Sequence, residues 1–126
     1  MAEFRQGEGA TKTFKALGPT TRTDGTALAI SEISHYIRFV EWTDENGTVH
    51  PVEQMNVDFI EDANTPEYDG QFDEVVDIDA IGVGSYDYWY RTVDTGGRES
   101  ADSERVNLVV LAPLANPSPP TSITVG

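Results

Sequence analysis

The chain contains no cysteine. Disulfides, thiolate metal sites and a cysteine nucleophile are therefore excluded, and stability has to come from packing. Cations are scarce: 22 acids stand against 8 lysines and arginines, the formal net charge is -14, and Lys12 and Lys15 are the only lysines. Between Arg38 and Arg91 there is neither lysine nor arginine, so a surface built from that half repels phosphate backbones and nucleic acid is not an expected partner. Long apolar runs are also missing. No stretch approaches a membrane span, so no membrane partner is expected. Residues 1–10, with Glu3, Arg5 and Glu8, lack the apolar run of a signal peptide, and the product is expected to stay in the cell that makes it. Nor does any segment carry a convincing helical period.

What remains is alternation. Residues 84–94 place Tyr86, Tyr88, Tyr90 and Thr92 on one face and Asp87, Trp89, Arg91 and Val93 on the other, the period of two of an extended strand. Gly82 and Gly84 precede this strand and Gly96 and Gly97 follow it, so both ends carry residues that permit sharp turns. At 126 residues the chain is sized for one domain organised around it.

Taken in order, residues 1–10 are polar and without period and read as an arm or loop. Residues 11–17 alternate weakly and stop at Gly18-Pro19, a short strand closed by a breaker. Residues 19–26 offer turn chemistry only. Residues 35–42 form a second strand in which Tyr36, Arg38, Val40 and Trp42 oppose His35, Ile37, Phe39 and Glu41; neither face is purely polar, as in a central strand. Asn46-Gly47 should turn the chain back into residues 48–52, with Pro51 at an edge. Residues 53–60 read as another strand and 62–70 as an acidic loop. Residues 71–81 alternate Val76, Ile78 and Ala80 against Asp77, Asp79 and Ile81, and residues 105–111 supply the last strand. Short strands separated by turn signals point to an all-β, antiparallel β-sandwich.

The segments Gly18-Pro19-Thr20, Asp24-Gly25-Thr26, Ser31-Glu32-Ile33 and Tyr36, followed by Gly84-x-Tyr86-x-Tyr88, Val93-Asp94 and Gly97-Arg98-Glu99-Ser100, resemble a fibronectin type III domain of the bacterial and bacteriophage kind. The resemblance covers roughly residues 11–111. It implies an immunoglobulin-like β-sandwich of about seven strands, with residues 1–10 as an N-terminal arm and residues 112–126 as a proline-rich C-terminal arm or extra edge strand. It also implies that Tyr86 bonds back to backbone as a corner, with Tyr88, Tyr90 and Tyr36 as structural residues beside it. Ala16 stands where the family usually has a core tryptophan, so Trp42 or Trp89 is expected to fill that volume. Residues 117–125 look like the family's first strand with its proline lead-in, and are expected to pair along an exposed edge of this sandwich or a neighbour's.

Chemistry is thinly written. His35 and His50 are the only histidines, and although Ser31, Ser34 and many aspartates surround them in sequence, no nucleophile elbow holds a triad, so no enzyme and no catalytic residue is expected. Asp73-Glu74 and Asp77 with Asp79 are carboxylate pairs that would need a cleft to act on glycosides. No cofactor is expected beyond a weak calcium candidate in Asp58, Glu61, Asp62 and Asp69, helped by Asn64 and Glu67, whose spacing matches no EF-hand. Trp89, Ile123 and Val125 are the candidate interaction residues. The expected role is a structural module of a bacteriophage virion, decorating or cementing the capsid, with the major capsid protein and further copies of itself as partners. A tail-tube or tail-fibre component would share these features. The reading from another class is an accessory domain of a secreted bacterial protein that binds carbohydrate or a cell surface.

Overall fold

A computed structural model describes residues 2–16, 18–58 and 72–126. These residues form an all-β molecule with strands β1 (Ala2–Arg5), β2 (Thr11–Ala16), β3 (Ile33–Asp44), β4 (Glu53–Val57), β5 (Phe72–Asp77), β6 (Gly84–Asp94) and β7 (Val106–Leu111). A five-stranded sheet has the order β1-β7-β6-β3-β4, and β2 pairs with β5 in a second, two-stranded sheet. The aromatic strand β6 is therefore the middle of the larger sheet. It runs antiparallel to β3 from Ile33 opposite Asp94 to Asp44 opposite Gly84, with one irregularity between Ile33 and His35.

The two faces of β6 sort as the alternation requires. Tyr86, Tyr88 and Tyr90 are buried and point at the smaller sheet, where Phe14 of β2 meets Tyr88 at 4.6 Å and Phe72 of β5 meets Tyr90 at 4.4 Å between ring centroids. Tyr36 of β3 reaches the same Phe72 at 5.1 Å. Leu108 and Val110 of β7, Val57 of β4, Val76 and Ile78 close one continuous core between the sheets. Each such side chain contributes roughly 1.5–3 kcal/mol by leaving water.

Both long hairpins end on an aspartate that organises the turn. Asp44 and Asp94 each accept from the amide of the glycine three residues on, Gly47 or Gly97, at 3.0 Å, and each donates its own amide to the following carbonyl, Thr48 or Arg98, at 2.9 Å. Asp44 Oδ1 accepts from the amides of Asn46 and Thr48, and Asp94 Oδ1 from those of Gly96 and Arg98. The turn needs one left-handed residue, and glycine supplies it at φ 83° and 81°. Of the expected Asn46-Gly47 pair, only Gly47 takes positive φ.

Three expectations change. Residues 1–10 are not merely an arm: residues 2–5 form β1, parallel to β7, and only Phe4 of its described side chains turns toward the core. The strand expected over residues 71–81 stops at Asp77, whose side chain accepts from the Asp79 amide and starts a 3₁₀ turn over Ile78–Ala80. Ile78 is wholly buried while Ala80 is exposed, so the alternation read across that point does not hold. Residues 112–126 form no strand with either sheet among the described residues.

Tyr86 closes a corner: its hydroxyl donates to the Gly82 carbonyl, four residues upstream, at 2.7 Å. Tyr86→Phe removes that bond without changing the ring and should cost about 1 kcal/mol, read as a lower denaturation midpoint at unchanged slope; no loss would mean the hydroxyl is satisfied equally well by water.

The buried tyrosines also predict alkaline behaviour. Burial pushes Tyr86 up to about 12, with Tyr88 nearby adding to it. Burial likewise raises Tyr36 and Tyr88, and raises Tyr90, whose hydroxyl is also bonded to Glu74. The folded chain holds these protons above the ordinary tyrosine value near about 10, so their stabilisation is complete below that pH and is lost as pH rises toward 12. The melting temperature should fall across that window, and the tyrosinate absorbance of these four residues should appear together with unfolding. Of the five tyrosines, Tyr68 lies outside the described residues, so tyrosinate from more than one of them in a still folded protein near pH 10 would contradict this packing.

Candidate interaction surfaces

On the outer face of the larger sheet, Phe39 of β3 and Trp89 of β6 are directly opposed and stack with centroids 5.6 Å apart, 6° from parallel. Arg91 caps the stack on the Phe39 side at 4.7 Å, and Arg105 caps Trp89 at 4.0 Å. Carboxylates hold both guanidinium groups in place: Asp102 and Glu99 bind Arg91, while Asp87 and Glu41 lie 3.8 and 4.0 Å from Arg105. Trp89 is left 5% exposed. It is thus not the exposed anchor that one of its sequence readings required, because Arg105 covers the ring on the face that alternation points outward. Arg105→Ala should uncover the indole, shifting its fluorescence to the red at a cost of about 0.5–1 kcal/mol; an unchanged spectrum would show that other groups cover Trp89.

Trp42 is occupied in the same way at the other end of β3. His50 stacks on one side at 4.2 Å, Tyr86 lies on it at 5.8 Å, and its Nε1 donates to the Val83 carbonyl at 3.2 Å. Of the two tryptophans expected to fill core volume, Trp42 packs against the core, while Trp89 lies on the outer face. His50 Nε2 is 2.9 Å from Asp44 Oδ2, and that bond, with the Thr48 and Asn46 amides, holds the Asp44 carboxyl below the usual carboxylate range. A cavity of about 250 Å³ opens here between Val40, Pro51 and Glu53. His35 instead bonds Ser34 Oγ at 2.9 Å and sits opposite Val93, so the histidines lie toward opposite ends of β3.

At the Asp94 end, Arg22 donates to Asp94 at 2.8 Å and to Glu32 at 2.7 Å, and Arg98 reaches the same Asp94 oxygen at 3.2 Å. The Arg22 bond, followed by the Arg98 amide, holds the Asp94 carboxyl far below the ordinary range. This tie fastens the loop after β2 to the turn after β6. No motif in the sequence pointed to this tie. The readable signal was of the turn alone, the repeat of Asp-x-x-Gly at Asp44 and Asp94. A groove of about 930 Å³ lies beside the tie, floored by Leu28, Tyr36, Phe72 and Tyr90.

Among the described residues the tail is the most accessible apolar feature. Arg5 Nη1 fixes its root by donating to the Ala112 carbonyl at 2.8 Å. Beyond that, Leu114 is 72% exposed, Ile123 81%, and Val125 fully. The candidates Ile123 and Val125 therefore stand free of their own sheets, and Trp89 is not brought together with them. Of the calcium candidates, Asp58 is described and exposed; Glu61, Asp62 and Asp69, with Asn64 and Glu67, lie outside the described residues. No family model matches the chain, and no curated protein matches it in sequence.

Proposed function

We propose that this chain is a non-enzymatic interaction module, a fibronectin type III-like domain that serves as a subunit of a larger assembly, most specifically a bacteriophage virion protein decorating or cementing the capsid. The observation that carries the reading is the tail: residues 112–126 run outside both sheets with Leu114, Ile123 and Val125 in water. A segment of this kind is suited to gain contacts from another chain, where each ordered residue must offset about 1–2 kcal/mol of backbone entropy. The immunoglobulin-like reading is supported by the Tyr86 corner and by β6 at the centre of a sheet that faces β2 and β5. The net charge of -14 suits the outside of a particle better than a surface facing packaged DNA.

A carbohydrate platform needs aromatic faces open to solvent. Both tryptophans have neighbours stacked on them, which favours assembly over glycan binding. The test is the mass and composition of the native complex from its source, by light scattering and mass spectrometry. Recovery of the chain in a large regular particle in fixed stoichiometry to a capsid protein is the expected result. Fixed stoichiometry to a tube or fibre protein would move the chain to the tail, and a monomer with glycan affinity would overturn the reading.

A further inference from the structure

Among the described residues the smaller sheet has only two strands. β2 pairs with β5 on one side, while β1, its neighbour in sequence, has crossed to pair with β7 in the other sheet. The second edge of β2 therefore has no ladder partner among the described residues. A two-stranded ribbon is marginal, and an open edge is a template for a further strand. We propose that residues 121–125 of one copy add as a strand to this edge of β2 in a second copy, an inference that rests on the assembly reading above.

The segment has the character of a strand. Thr121, Ile123 and Val125 alternate with Ser122 and Thr124, and the prolines at 117, 119 and 120 keep the approach extended while being unable to donate to a ladder themselves. Ser122 is the one described non-glycine residue with positive φ, at 54°. Extension on pairing removes that disfavoured conformation.

Charge selects the edge. Two copies at -14 repel each other, whereas residues 112–126 carry no charged side chain. Only β2 among the strands bears two lysines, Lys12 and Lys15; β1 balances Glu3 with Arg5, β4 carries Glu53, and β5 carries Asp73, Glu74 and Asp77. An uncharged strand laid on the basic edge is the contact between copies with least repulsion.

Direction favours a second copy. The tail leaves β7 beside Gly7, whose neighbour is Pro113, close to where β2 begins. Running directly along its own β2 it would lie parallel, whereas a tail from another copy is free to enter antiparallel, the more stable pairing. Donor and acceptor are different patches, so repetition builds a ring or a filament, as a repeating shell requires.

The test uses the full chain, whose lack of cysteine allows clean single-cysteine variants. Thr13→Cys and Thr124→Cys chains are mixed and treated with a short bismaleimide, beside a control pair of Gln54→Cys on β4 with Thr124→Cys. The expected yield of linked heterodimer is at least about tenfold above the control, and Ile123→Asp with Val125→Asp should weaken self-association about 100-fold by sedimentation while leaving the monomer's circular dichroism unchanged. Equal yields at β2 and β4 overturn the proposal, as does a chain carrying both cysteines that links to itself at high dilution. Native particles that retain the Ile123→Asp/Val125→Asp chain at full stoichiometry overturn the tail contact and leave the assembly reading standing. A chain found in no particle and monomeric at every concentration overturns both.

Discussion

Glu74→Ala is expected to destabilise the domain by about 3–5 kcal/mol. Glu74 projects from β5 into the space between the sheets, where Oε2 accepts from Arg38 Nη1 of β3 at 3.0 Å and Oε1 from the Tyr90 hydroxyl of β6 at 2.8 Å. The side chains of Glu74 and Arg38 are only 10% and 19% exposed. Arg38 Nε has no hydrogen-bond partner among the described residues, and Nη2 has only the Met55 sulfur at 3.8 Å. Removing the carboxylate thus strands a guanidinium that has little else to bind, and leaves the Tyr90 hydroxyl without its acceptor. Against a total stability of about 5–15 kcal/mol, the loss is large. It should lower the melting temperature by on the order of 10 °C or more.

The cost is that of an orphaned charge, so removing all partners together should restore much of it. Arg38→Met with Glu74→Leu and Tyr90→Phe replaces the network by apolar groups of similar size, and is expected to recover most of the stability lost in Glu74→Ala. Chemical denaturation of both variants decides the matter. A loss below about 1 kcal/mol in Glu74→Ala would fit a solvated surface pair and remove this link between the sheets.

What the sequence disclosed follows from which forces leave a local trace. β3 and β6 were legible because a strand writes its two faces into alternate positions, and Tyr86, Tyr88 and Tyr90 could face only a core. The hairpins were legible because a left-handed residue has to be a glycine at Gly47 and Gly97. β1 was not, since a four-residue parallel strand is held by backbone pairing to β7 and shows one inward side chain, Phe4, between Glu3 and Arg5. The early end of β5 depends on the Asp77 side chain bonding an amide rather than on hydrophobic pattern.

The candidate surfaces show the same division. Exposure of Ile123 and Val125 was not legible, because the sequence reads residues 117–125 as a strand to be paired, whereas the tail forms no strand with either sheet among the described residues. Trp89 misled because alternation assigns it to the outer face but cannot report that Arg105 arrives from the far end of a hairpin to cover it. The Arg22 to Asp94 tie joins residues 72 apart, and no local pattern names that partner.

Gly84→Ala is expected to cost about 3 kcal/mol or more, the sum of two separable penalties. The first is conformational: Gly84 has φ of 141°, where a side chain is strained. The second is contact. A Cβ at this position would run into the Thr43 carbonyl oxygen, and would lie 2.8 Å from Trp42 Nε1 and 3.0 Å from Asp44 Cα. These are backbone and ring atoms held by the register of β3 on β6, so the overlap is relieved only by moving a strand or the indole. Gly82 reports the same closeness, with a Cβ placed 2.6 Å from Trp42 Cζ2. Gly47→Ala is the comparison: at φ 83° it carries backbone strain, yet a Cβ there meets nothing within 4 Å, so it should cost only about 1 kcal/mol. Denaturation midpoints give both numbers, and Trp42 fluorescence should shift in Gly84→Ala alone. Equal costs would assign the whole effect to backbone strain. A larger cost at Gly84 means that the 82–84 segment is held against the indole, and that the Trp42 and Tyr86 contacts form one packed unit with the corner that ends on Gly82.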